Sequence, residues 1–168
     1  MHSFFVDIFT DRLQLVPVTS SDTKFIFELV NSVGWRSYIG DFKMDSLRKV
    51  ANYIERIQTT DDVYYWTVKL SATHESIGLI TFLKREKLKH FDLGFAFLPQ
   101  FEKQGYAFEA AETVLHILNK ESNYNAIQAL TIPSNKSSIR LLEKLGFKLE
   151  KKNAKSDKAA LIFTLYLS

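Results

Sequence analysis

The chain has 168 residues, 46% of them hydrophobic and 24% charged, a balance that suits one domain with a full core. Its 22 Lys and Arg against 19 Asp and Glu leave a formal charge of +3, too small an excess to argue for a nucleic-acid partner. It has no cysteine, which excludes disulfides, thiolate nucleophiles and Cys-ligated metals.

Residues 12–18 alternate, with Leu13 and Leu15 on one face, and read as a strand ended by Pro17. Thr19, Ser20, Ser21 and Asp22 offer helix N-caps, and Phe25, Ile26, Leu29, Val30 and Val33 follow at helical spacing. Residues 31–42 keep no period and read as an aromatic-rich loop or broken helix. Asp45 and Ser46 cap a second helix carrying Leu47, Val50, Ala51, Ile54 and Ile57 on one face.

Residues 64–70 and 76–83 are strands. The second is apolar on both faces and so belongs inside a sheet. Residues 84–90 hold four Lys or Arg, one Glu and His90, the composition of a solvated hairpin connection. Phe91, Leu93, Phe95 and Phe97 then point one way along a strand, with the small or acidic Asp92, Gly94 and Ala96 on the other face. A turn with Pro99 and Gly105 leads into a helix marked by Ala107, Ala110, Ala111, Val114, Leu115 and Leu118. The start of that helix leaves N–H groups unpaired and carries partial positive charge, so the stretch 102–107 reads either as a pyrophosphate cradle or as a plain glycine turn.

A strand at 126–132 ends at Pro133. A helix capped by Ser134 or Asn135 carries Ile139, Leu142 and Leu145, with Gly146 at its C-terminal side. A short strand at 147–150, a basic turn at 151–158 and a last strand at 160–167 complete the chain. The order is strand, two helices, three strands, helix, strand, helix, two strands. With no internal repeat or linker, it describes a single α/β (α+β) domain over residues 1–168. No apolar run approaches the ~18 residues of a membrane span, and the first residues lack the basic-then-apolar order of a signal peptide. A cytoplasmic protein is expected. His2, His74, His90 and His116 have no metal-ligand spacing, and no metal is expected.

Two segments then acquire meaning together: Gln104-Gly105-Tyr106-Ala107-Phe108-Glu109-Ala110, and the run from Pro133-Ser134-Asn135 through Ser138 to Lys144-Leu145-Gly146-Phe147. They resemble the two acyl-CoA-binding motifs of the GNAT N-acetyltransferases. Thr10-Asp11-Arg12-Leu13, Phe27-Glu28-Leu29, Ile77-Gly78-Leu79-Ile80 and Asp92-Leu93-Gly94-Phe95 extend the resemblance over most of residues 10–168, toward the branch of the ribosomal-protein N-terminal acetyltransferases. It implies a mixed twisted sheet of about seven strands flanked by about four helices.

It also implies acetyl-CoA as cosubstrate and a primary amine, on a protein N-terminus or a small molecule, as acceptor, with homodimers frequent and neither membrane nor nucleic acid as partner. Backbone groups of Phe95, Ala96 and Phe97 would meet the pantetheine and thioester. Residues Glu102, Lys103, Gln104, Gly105, Tyr106 and Ala107 would form the phosphate loop, with Asn135 and Ser138 also beside the cofactor. Asp92 would be the general base and Ser138 a proton donor to the leaving thiolate. Trp35, Tyr38 and Asp41 would shape the acceptor pocket. Glu102 and Lys103 depart from the usual Gln or Arg followed by glycine; a Glu102 carboxylate inside the cradle would repel a diphosphate, and Lys103 would offset it. No tyrosine stands at the family's general-acid place, where Phe147 follows Gly146. The other reading is a non-catalytic acyl-CoA-binding or regulatory module on the same fold.

Overall fold

The computed structural model describes residues 4–121, 123–152 and 159–168. Among these, the elements run β1 (Ile8–Phe9), β2 (Leu13–Pro17), α1 (Thr23–Val30), α2 (Val33–Tyr38), α3 (Leu47–Thr59), β3 (Val63–Leu70), β4 (Ser76–Leu83), β5 (Phe91–Phe97), α4 (Tyr106–Lys120), β6 (Ala126–Thr131), α5 (Lys136–Lys144), β7 (Lys148–Lys152) and β8 (Leu161–Tyr166). The strands form one mixed sheet ordered β1-β2-β3-β4-β5-β6-β8-β7. β1 to β5 form an antiparallel meander, α4 carries the chain across to β6, which lies parallel to β5, and β8 lies between β6 and β7. The mixed α+β fold is the expected one, with eight strands and five helices among the described residues where about seven and four were expected.

Side-chain alternation divides the core between the two faces. Trp66 and Val68 of β3, Ile80 and Phe82 of β4, and Leu93 of β5 pack on one face under Ala110, Ala111, Val114 and Leu118 of α4 and Leu142 of α5. Leu79 and Ala96 face the other way, toward Ile26 and Leu29 of α1, Trp35 of α2, and Val50 and Ile54 of α3. Each large apolar side chain buried this way contributes roughly 1.5–3 kcal/mol.

The extra elements have local causes. β1 is two residues long, and no periodicity exists at that length. Just before it, Phe4 is buried edge-on against Tyr64, Phe82 and Tyr124, and Trp66 Nε1 donates to the Val6 carbonyl at 3.1 Å. α1 stops at Val30, so Val33, expected on its apolar stripe, lies in α2 and is exposed. Ser32 caps α2 by accepting the Trp35 N–H at 3.3 Å. Leu47, expected on the buried stripe of α3, is also exposed at the helix start. β7 continues to Lys152, two residues into the expected basic turn, and 153–158 lie outside the described residues.

Candidate active site

β5 and β6 are in register only at Phe91↔Ile127 and Asp92↔Gln128. Beyond that, β5 runs on to Phe97 paired with β4 alone. The Leu98 N–H donates to the Ile77 carbonyl of β4 at 2.9 Å. By alternation Ala96 also faces β4, while the backbone groups of Phe95 and Phe97 face the gap where β6 has diverged. Backbone groups that face such a gap require partners from outside the sheet.

The gap leads to the turn before α4. Lys103 (φ 59°) and Gly105 (φ 84°) both lie in the left-handed region, and Gly105 is the N-cap residue of α4. This fold of the loop exposes the first N–H groups of a 15-residue helix, the requirement for holding a phosphate. Glu102 does not enter the cradle. A methyl group added at Gly34 would lie 3.7 Å from Glu102 Oε1, so the carboxylate is turned toward the first turn of α2.

Lys103 adopts a conformation that costs a non-glycine residue roughly 1–2 kcal/mol, while glycine loses roughly 0.5–1 kcal/mol more chain entropy on folding. Lys103→Gly is therefore expected to leave stability unchanged or raise it by up to about 1 kcal/mol, read as the urea midpoint at constant slope. A clear loss would mean that the lysine side chain makes stabilising contacts.

Arg12, just before β2, braces the loop. Its Nη1 donates to the Gln104 carbonyl at 3.0 Å, its Nε to Glu109 Oε2 at 2.7 Å, and its guanidinium lies 4.5 Å from the centre of the Tyr106 ring. Glu109 Oε1 accepts from Thr10 Oγ1 at 2.5 Å and from the Arg12 N–H at 3.1 Å. Partial burial raises the Glu109 carboxyl, but the hydrogen bonds from Thr10 and Arg12 together outweigh it and hold it below the ordinary value. An open cleft of about 560 Å³ lies alongside, lined by Thr10, Arg12, Gly105, Phe108, Glu109 and Lys144. The sequence shows these residues but not the pairing, which joins positions 97 apart.

Asp92 sits where β5 and β6 part and is 3% exposed. Arg85 of the β4–β5 connection donates from Nε to Asp92 Oδ2 at 2.5 Å, and Oδ1 has no hydrogen-bond partner. Its register neighbour Gln128 is committed elsewhere, accepting the His90 N–H at 3.0 Å and donating to Glu150 at 3.1 Å. Burial pushes the Asp92 carboxyl above its ordinary value. The Arg85 charge and hydrogen bond, and the nearby Leu130 amide, oppose that without cancelling it. The room expected beside Gly94 is partly filled, since a Cβ there would lie 2.5 Å from Thr81 Oγ1. That hydroxyl and the Tyr53–Tyr65 pair, with oxygens 3.1 Å apart, add polar atoms to the face of Asp92. Arg85, expected in a solvated hairpin connection, is thus bound to a buried carboxylate.

Asn135 accepts the Ser138 N–H at 3.1 Å, so its side-chain oxygen caps α5. Ser138 is half-buried in the first turn. Trp35 is a core side chain on the Asp92 face of the sheet, edge-on to Phe42 at 6.2 Å, with a buried Nε1 that has no partner. Tyr38 is exposed, and Asp41 accepts the Lys43 N–H at 3.0 Å to close an exposed turn. Asn31 ties this segment down, donating to the Phe27 and Met44 carbonyls at 2.8 and 2.9 Å.

Residues 12–148 match the family model described as the acetyltransferase (GNAT) domain. The uncharacterised N-acetyltransferase YoaA of Bacillus subtilis strain 168 is 29% identical over 148 residues, 84% of this chain and 82% of that protein. A GNAT-family acetyltransferase from Bacillus anthracis is similar in structure with a TM-score of 0.81 at 23% identity, over 96% of this chain and 98% of that one. The spermidine N-acetyltransferase from Vibrio cholerae, solved with CoA and spermine, reaches a TM-score of 0.81 at 16% identity, over 94% and 97%.

Proposed function

The chain belongs to the GNAT acetyltransferase family, and from that premise we propose that it moves acetyl from acetyl-CoA to a primary amine by direct attack, with no acetyl group held covalently on the enzyme. It is an acetyl-CoA-dependent acyltransferase, and the finer reading concerns how its own residues act. The observation that carries it is the parting of β5 from β6 beside a buried carboxylate. The left-handed loop at Lys103 and Gly105 offers N–H groups to the diphosphate, with Arg12 holding the loop. The backbone N–H groups of Phe95 and Phe97 face the gap, able to hold the pantetheine and to steady negative charge as it develops on the thioester oxygen. The cosubstrate supplies an activated acyl carbon and a good leaving group.

Asp92 takes a proton from the attacking amine and passes it to solvent, and Ser138 is the candidate to relay a proton from solvent to the departing thiolate, so that amine and thioester become amide and thiol. Tyr38 and Asp41 stand on the exposed rim from which the acceptor enters, and Trp35 packs beneath them to shape the pocket. The acceptor is a protein N-terminus or a small molecule; the likeness to the Vibrio spermidine enzyme supports the second. The same family membership supports a homodimer.

The test is release of free CoA with a panel of amines, alongside the intact mass of protein incubated with acetyl-CoA alone. Amine-dependent release with an unchanged protein mass is expected. A stable mass increase of one acetyl group, chased off by amine, would replace direct attack with a covalent route. Tight binding without turnover on any amine would return the chain to a binding module.

A further inference from the structure

The pairing of Asp92 with Arg85 bears on the acceptor. Asp92 Oδ1 is buried and unpartnered, while Oδ2 is held by Arg85 Nε at 2.5 Å. Arg85 spends only Nε in this contact. Its side chain is 47% exposed, and among the described residues its two terminal nitrogens have no hydrogen-bond partner. The ion pair therefore joins a buried carboxylate oxygen without a hydrogen-bond partner to an exposed guanidinium edge, with the charge centres held together. The guanidinium fork matches a carboxylate in two parallel hydrogen bonds.

We infer that the acceptor is a zwitterionic amine with its carboxylate next to the amino group, as in a free α-amino acid: its nitrogen meets Asp92 Oδ1 and its carboxylate meets the outer edge of Arg85. This rests on the acetyl-transfer reading and narrows its acceptor. A polyamine would set its second ammonium against Arg85, and a peptide N-terminus would offer an uncharged amide where the carboxylate belongs.

The experiment compares initial rates of CoA release with the common α-amino acids, their carboxamides, their descarboxy amines and spermidine, using wild type, Arg85→Gln and Arg85→Lys. Calorimetric acetyl-CoA affinity is measured for all three proteins to establish that each is folded. The wild type is expected to favour at least one amino acid over its own carboxamide and amine by about tenfold or more in kcat/KM, since a site built for a polar group rejects the analogue lacking it. Arg85→Gln should abolish that preference, mainly by raising KM for the amino acid, and Arg85→Lys should restore part of it. Preference for carboxamides, simple amines or spermidine would overturn the inference while leaving acetyl transfer intact. So would an Arg85→Gln variant that slows every acceptor alike, because Arg85 would then act only through Asp92. Acetyl-CoA binding with no turnover on any of these would remove both readings.

Discussion

Asp92→Asn is expected to lower turnover by about 10²-fold or more, the usual contribution of a positioned general base. The carboxylate is nearly sealed from solvent where the two central strands part, with one oxygen free of any partner. An amine can attack only after losing a proton. At pH 7 an α-amine with a pKa near ~7.8 is roughly one part in ten neutral, while a lysine near ~10.4 is about one part in 2,500. An α-amine can therefore be served by a weak base such as a carboxylate.

Burial raises the Asp92 carboxyl, which strengthens it as a base and moves its titration upward. The base works ionised, so activity should fall as pH drops through that raised value. The acidic limb of kcat/KM should lie above the ordinary aspartate value and vanish in Asp92→Asn. Acetyl-CoA affinity should barely change, and the unfolding midpoint separates loss of a base from loss of the fold. An Asn variant with undiminished kcat at saturating amine would remove Asp92 from the chemistry.

Gly105→Val should weaken acetyl-CoA binding at least about tenfold. Gly105 holds a φ of 84°, which a β-branched residue adopts only under strain of roughly 1–3 kcal/mol. A Cβ there would also lie 3.2 Å from Arg12 Nη2, against the brace that ties the loop to β2. The loop relieves the φ strain by rotating N–H groups away from the phosphates, and about 1.4 kcal/mol lost in that way is already tenfold. Calorimetry on folded Gly105→Ala and Gly105→Val should give a graded loss, the valine worse. Affinity equal to wild type in both would mean that the diphosphate does not rest on this loop.

Most of the architecture was legible because burial imposes a period. The alternation in Tyr64–Tyr65–Trp66 and in Phe91 to Phe97, and the helical spacing of Ala110, Ala111, Val114 and Leu118, record which side of each element faces a core. α2 was legible only as a loop or broken helix, because six residues holding Gly34 and two aromatics repeat nothing. β1 escaped because two residues cannot alternate.

The turn before α4 was legible for a related reason. Gly105 is demanded by local backbone geometry, and local geometry leaves its mark on the residue itself. At Lys103 the same left-handed turn is occupied by a lysine, so the residue type conceals a conformation that the surrounding loop enforces.

By itself the sequence determined the order of the elements other than β1 and α2 and the strand–loop–helix unit that ends in α4, because these depend on neighbours within a few residues; the candidacy of Asp92 came from the family resemblance. Only the tertiary structure decided what each charge meets. Arg12 reaches Glu109, Glu102 turns to α2, and Arg85 occupies one oxygen of Asp92 while leaving the other free. These partners lie on different elements, and even Arg85 and Asp92, seven residues apart, meet through the bend of the β4–β5 connection. No periodicity encodes such meetings, since an ion pair needs only that two side-chain ends arrive within a few ångströms, which the packing of the sheet and helices arranges.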